Sequence, residues 1–212
     1  MKNLVALTFS LLLTLGNLAY SQSKPATGWV NLFDGKTLNG WKAAENPATF
    51  SVQDGAIVVF GPRAHLFYDG PVNNHAFKNF EWKAQVKTTQ GSNSGMFIHT
   101  AYQETGWPNK GYEIQVNQTH TDWRKTGSVY SNQDVKETFV KDDEWYTQHI
   151  IVKGNHVTIM INDKVINDYT EPDSISQGTG TKRLSNGTIA LQGHDPKSKV
   201  YYKDLMVRVL PD

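Results

Sequence analysis

The chain of 212 residues contains no cysteine. That excludes disulfide bonds, and it excludes a lipid-modified N-terminal cysteine. It also lacks a charge excess, with 21 Lys and Arg against 20 Asp and Glu. Residues 1–21 hold one lysine and no acid, so the remainder carries 20 of each sign. Nucleic acid and anionic membrane surfaces both demand a basic excess, so neither is an expected partner. No long apolar run follows residue 18, which argues against membrane insertion once the N-terminal segment is gone. Helix signals are weak, and there is no internal repeat, low-complexity tract or interior linker. Several chemical signatures are missing as well. There is no His-Glu-x-x-His, no EF-hand loop, no Gly-x-Ser-x-Gly elbow and no phosphate loop.

What is present begins with a targeting pattern. Lys2 precedes the apolar stretch Leu4 to Leu18, and Ala19-Tyr20-Ser21 offers small residues for cleavage before Gln22. Residues 1–21 therefore read as a signal peptide, and the protein as exported to the periplasm or the cell exterior. Export without disulfides fits a bacterial source. Residues 22–28 read as a flexible lead-in and 29–212 as a single domain, a size at which all-β sandwiches often stay undivided.

Strand signals dominate that domain. Phe80, Trp82, Ala84 and Val86 alternate with Glu81, Lys83, Gln85 and Lys87, the period of a strand with one dry and one wet face. Ala56–Phe60 is an apolar run behind the turn Asp54-Gly55. Gln148–Lys153, His156–Ile161 and Lys164–Asp168 form a meander turning at Gly154-Asn155 and Asn162-Asp163. Gly187–Gly193 and Lys199–Leu210 add two more strands. Such short spacing predicts an all-β sandwich of two antiparallel sheets. Six Trp and nine Tyr serve mostly as core. Trp107 and Trp123, in polar turn-rich loops, are the candidates for exposed platforms that hold sugar rings.

One strand stands out, Gly111-Tyr112-Glu113-Ile114-Gln115-Val116-Asn117. Alternation places Glu113, Gln115 and Asn117 on one face, either as the polar wall of a groove or as an ordinary wet face. Ser92 to His99 reads as a tight entry into a buried strand ending at a histidine that serves either structure or chemistry. His65 shares that ambiguity. His194 is the strongest candidate among these histidines, because it opens a loop after a strand and stands beside Asp195. A standard retaining glycosidase needs two carboxyls about 5 Å apart. Here Glu113 is followed by Gln115, so the second carboxyl is missing.

These residues carry a resemblance. Trp29-Val30-Asn31-Leu32-Phe33-Asp34-Gly35-Lys36-Thr37-Leu38-Asn39-Gly40-Trp41 resembles the opening of the 3-keto-disaccharide hydrolase domain family. Asn79-Phe80-Glu81-Trp82, Ser92 to Phe97, Gly111 to Gln115, Thr126 to Tyr130, Glu144-Trp145 and Gly187 to Gln192 follow in the family's order, covering residues 29–210. The resemblance implies a concanavalin A-like jelly-roll sandwich. It also implies an enzyme, hydrolase or lyase, cleaving 3-keto-glycosides or 3-keto-disaccharides by elimination or hydrolysis. Such chemistry needs one base, one acid and a positive group for the enolate. Glu113 is the expected base with His194 its competitor. His99, Arg124 or Lys125 would stabilise the enolate, and Gln115, Asn117 and Trp123 would hold the sugar, with Trp107 and His65 further candidates for sugar contact. A divalent metal on Glu113 and a histidine is an alternative source of positive charge, although no cofactor is required by any motif. Two departures stand out, His99 where the family often has Arg and His194-Asp195 where it often has His-Gly. The alternative function is a non-catalytic, lectin-like glycan-binding module.

Overall fold

The computed structural model describes residues 28–176 and 182–212. The expected signal peptide, 1–21, and residues 22–27 of the lead-in lie outside the described residues. The strands are β1 (Val30–Asn31), β2 (Trp41–Ala44), β3 (Phe50–Gln53), β4 (Ala56–Phe60), β5 (Ala64–Tyr68), β6 (Phe80–Thr88), β7 (Asn93–Thr100), β8 (Tyr112–Asn117), β9 (Tyr146–Lys153), β10 (His156–Ile161), β11 (Lys164–Thr170), β12 (Thr188–Gly193) and β13 (Lys199–Val209). They form two antiparallel sheets packed face to face. One runs β11-β10-β9-β6-β13-β4-β3 with β1 paired to β13, and the other runs β2-β5-β12-β7-β8. This is the expected all-β jelly-roll sandwich.

The meander β9–β11 forms at the anticipated turns. Asn162 and Asp163 both take positive φ, 48° and 64°, as a two-residue hairpin turn requires. Four short strands escape sequence reasoning: β1, β2, β3 and β5. β1 and β2 are too short for a period to show, and β5 is buried on both faces, so its residues do not alternate. The conspicuous opening motif proves to be a structural clasp. The Asp34 carboxylate accepts the N–H groups of Lys36 and Thr37 at 2.8 and 2.7 Å. Trp41 then folds back so that its Nε1–H donates to the Leu32 carbonyl at 2.8 Å.

Burial patterns distinguish the two sheets. Along β6 from Trp82 onward, and along β9 and β10, buried and more exposed residues alternate, so one face is dry and the other meets water. Along β5, β7 and β12 every residue is buried. The inner face of this five-stranded sheet supplies Leu66, Met96, Ile98, Ile114, Ile189 and Leu191 to the core, against Trp82, Val86, Ile150 and Tyr202. Its outer face must therefore be covered too, and loops do the covering. A small second cluster, Ala44, Phe67, Phe97 and Ala190, marks that outer face.

One buried hydrogen bond ties the sheets together. Ser94 Oγ donates to the Gln192 carbonyl at 2.5 Å, so the Tyr202 hydroxyl, 2.7 Å away, donates to Ser94. Tyr202→Phe should cost about 1 kcal/mol, whereas Ile114→Ala, which opens a cavity at the centre, should cost about 2–5 kcal/mol. Urea unfolding followed by tryptophan fluorescence measures both, and equal losses would contradict this division.

Candidate functional site

Cross-strand register lays out the covered face as a grid. Lys42, Phe67, Ala190, Phe97 and Glu113 lie in one row across the sheet. Ala44, His65 and Gln192 lie in the next, and Gly95 stands beside Gln115. A pocket of about 240 Å³ opens over β12, β7 and β8, lined by residues that include Phe97, Trp107, Glu113, Tyr130, Gln192 and His194.

Glu113 is the sole carboxyl among the residues that line it. Its Oε1 accepts Gln192 Nε2–H at 2.8 Å. The Gln115 amide is assigned from its neighbours, with nitrogen donating to the Ser94 carbonyl at 2.9 Å and to Glu113 Oε1 at 3.1 Å. The carboxyl lies flat across Gly95, where a Cβ would stand 2.5 Å from Oε1. Only glycine admits that approach. Burial pushes the Glu113 carboxyl up to about 8, against the opposing pull of the Gln192 amide and Lys182. At neutral pH it holds its proton. Gln192 Oε1 is buried without a partner.

His194 faces the same pocket from the end of β12. Its Nδ1 lies 2.8 Å from Asp195 Oδ2, so Nδ1–H donates to the carboxylate and Nε2 is the ring nitrogen that Asp195 does not engage. Asp195 also accepts the Ser198 hydroxyl at 2.7 Å and the Lys197 N–H at 2.8 Å. Burial would raise its pKa, but these bonds hold it down to about 2. The carboxylate is thus a permanent anion that fixes the imidazole. β12 and β8 flank β7, so acid and imidazole reach the pocket from strands on either side of β7.

Trp107 is 44% exposed and leans on His194, with ring centroids 5.5 Å apart. His65 lies behind it. The His65 ring packs edge-on against Phe97 and Trp107 at 5.3 and 5.7 Å, and its Nε2 is buried without a partner. Burial lowers its pKa to about 4, so it stays neutral and acts as a prop for Trp107.

Other expected site residues are placed elsewhere. His99 is fully buried at the end of β7 with φ of 53°. Its Nδ1 accepts the Ser185 N–H at 3.1 Å, so Nε2–H donates to the Lys78 carbonyl at 2.8 Å. Both nitrogens are used, and it does not line the pocket. Asn117 anchors the following loop instead of facing a ligand. Its Nδ2 donates to the carbonyls of Asp122 and Arg124 at 2.9 and 2.7 Å, and Oδ1 accepts the His120 N–H. Lys125 caps the same loop, donating to the His120 and Asp122 carbonyls, each at 2.9 Å. Arg124 is tied to Asp122 and Asp134 and stacks 4.6 Å over Tyr130, so it positions a pocket residue without reaching the pocket. Trp123 is 48% exposed, but it sits outside the lining, under Arg124 and Lys136.

Sequence reasoning missed Asn93, Tyr130, Lys182, Gln192 and His120. Tyr130 arrives because the segment 126–130 pairs with the free edge of β8, through Gly127 N–H to Gln115 O and Tyr130 N–H to Glu113 O. His120 Nδ1 accepts the Asp122 N–H at 3.1 Å, and its ring meets that of His194 at 5.3 Å. His120, His194 and Asp195 bring ligand atoms within 4.8 Å of one another. This trio, and not Glu113 with a histidine, is where the described residues could hold a metal.

The raised Glu113 pKa has a consequence for stability. Between about pH 4.5 and 8 the folded state keeps a proton that the unfolded chain releases, so stability falls as pH rises through this window. Glu113→Gln should remove the fall, and its thermal midpoint relative to the parent should climb from pH 5 to about 9. Parallel curves for parent and variant would show that the carboxyl is ordinary.

A 3-keto-disaccharide hydrolase of Bacteroides thetaiotaomicron is 28% identical over 172 residues, covering 68% of this chain and 59% of that protein. The chain thus spans less than two thirds of the length of this relative. A Parabacteroides distasonis protein provisionally named a glycosyl hydrolase shares the fold with a TM-score of 0.72 and 24% identity, over 87% of this chain and 94% of that one. A Bacillus licheniformis β-glucanase matches with a TM-score of 0.57 and 10% identity, over 87% of this chain and 98% of that one. Residues 28–208 match the family described as 3-keto-alpha-glucoside-1,2-lyase-like domain, and the chain belongs to that family.

Proposed function

We propose that this protein is an exported enzyme that cleaves 3-keto-glycosides by elimination, with His194 as base and Glu113 as acid. The observation that carries the reading is the pairing in one pocket of a proton-bearing carboxyl with a carboxylate-oriented imidazole. A ketone at C3 acidifies the hydrogen on C2. His194 Nε2 takes that proton, the C1–O bond breaks, and the departing oxygen takes the proton from Glu113. The products are an unsaturated keto-sugar and a free alcohol, and water adding across the new double bond completes a net hydrolysis. Lys182, on the pocket wall, is placed to offset enolate charge. The face of Trp107 suits the apolar side of the sugar ring. This reverses the roles first expected for Glu113 and His194, because a carboxyl with a pKa of about 8 is a poor base and a good acid at neutral pH.

A second reading rests on the convergence of His120, His194 and Asp195. A divalent cation on the two imidazoles, with Asp195 orienting His194 from behind, would bind the ketone and enolate oxygens. A chelator distinguishes the two readings. Activity that survives exhaustive chelation supports the imidazole base, and activity restored only by added metal supports the cation.

The decisive assay offers 3-keto-glucosides and their unoxidised parents and follows release of the leaving group. Release from the keto form alone is expected. His194→Ala should lower kcat by about 10²–10⁴-fold. The rate should fall as pH rises above about 8, where Glu113 loses its proton, and Glu113→Gln should abolish that limb along with most activity. A rate that instead climbs through pH 8 would make Glu113 the base. Saturable sugar binding with no release from any keto form would favour a lectin-like module.

A further inference from the structure

The catalytic pocket of about 240 Å³ falls below the roughly 300–1,000 Å³ of typical ligand sites. It accommodates one ring of a substrate that has a leaving group besides. A second cavity of about 310 Å³ lies on the same covered face, lined by residues that include Lys42, Phe67, Thr100, Tyr102, Lys110 and Thr188. The two are neighbours. Phe67 of the second and Phe97 of the first flank Ala190 in one cross-strand row, on the order of 10 Å apart by strand spacing. Lys110 borders the second cavity and Gly111 the first. One loop, residues 101–111, carries Trp107 over the first and Tyr102 over the second.

The chemistry of the second cavity differs from that of the first. Phe67 and Tyr102 meet edge to face at 5.4 Å, forming an aromatic wall. The Lys42 ammonium sits 3.7 Å over the Tyr102 ring. Neither Lys42 nor Lys110 has an ion-pair partner among the described residues, whereas the one acid of the lining, Asp69, faces His75 at 3.9 Å. The aromatic wall and the two ammoniums without an acidic partner together describe a site for a ring that bears a carboxylate.

We infer that this second cavity is the leaving-group subsite and that it selects a carboxylated ring. The inference rests on the keto-glycoside reading for the word leaving group. Its test uses binding, which needs no turnover. Free 4-hydroxybenzoate and free glucuronate supply the two sources of such a ring, with phenol and glucose as uncharged counterparts. Titration by NMR or calorimetry should show at least one acid binding more tightly than its counterpart. That binding should weaken about tenfold in Lys110→Met and in Tyr102→Ala, the loss of one charge-assisted or stacking contact. Which acid binds identifies the ring as aromatic or sugar. In turnover, the KM of a 3-keto-glucoside with a 4-carboxyphenyl leaving group should rise about tenfold in Lys110→Met relative to the KM of the methyl 3-keto-glucoside. Acids that bind no better than their counterparts, or binding untouched by both substitutions, would overturn the subsite. Failure to cleave any keto-glycoside would sink the activity and leave the binding result standing.

Discussion

A sheet covered on both faces leaves its polar residues with little water to fall back on, and the site of this protein is organised by that constraint. On the outer face of the five-stranded sheet, Gln115 and Gln192 are buried and Glu113 is half-buried on the pocket wall, so these groups turn largely to one another or to a ligand. Two amide N–H groups converge on one carboxyl oxygen. That arrangement stabilises the carboxyl without supplying a cation in hydrogen-bond contact, so burial dominates and the proton stays on. Gly95 is part of the same solution, because a side chain there would lift the carboxyl off the sheet. Acidity in this pocket is therefore a product of packing.

The imidazole side of the pocket is built by the opposite device. Asp195 collects a hydroxyl, two backbone N–H groups and the His194 Nδ1–H, so it remains charged and fixes the tautomer. One carboxyl is kept neutral by burial that outweighs the pull of Lys182, and the other anionic by an excess of donors. Divergent pKa values of two carboxyls mark a division between acid and base roles. On the proposed reading, the base role passes to the histidine that the anion orients.

Much of the sandwich was legible because the eight-stranded sheet obeys a simple period. Phe80 to Val86 alternate in sequence, and from Trp82 onward they alternate in burial. β5 could not be read that way, since Ala64–Tyr68 is buried throughout and leaves no polar phase to count. The polar face of β8 was visible for the same periodic reason, and so were Trp107 and His194 as loop residues. Gln192 and Tyr130 were not, because their neighbourhood with Glu113 depends on which strands and segments lie side by side. Single-sequence alternation says nothing about strand order. Asn117, Arg124 and Lys125 misled for a related reason. They are polar and close to the site in sequence, but a loop that must hold His120 in place consumes their hydrogen-bonding capacity internally.

The missing second carboxyl, an objection to ordinary glycoside hydrolysis, becomes informative once Gln115 is seen donating to Glu113. A carboxylate at position 115 would repel Glu113 or share its proton, and it would remove the amide that steadies Oε1. A site with one neutral carboxyl and one oriented imidazole cannot stabilise an oxocarbenium ion with a nearby anion, as the two-carboxylate mechanism does. It can move one proton on and one proton off across a ring. Substrates already activated by a neighbouring ketone need no more than that. On the proposed reading, the lack of a carboxylate pair and the raised acidity range of Glu113 are one design, fitted to elimination and ill-suited to direct displacement.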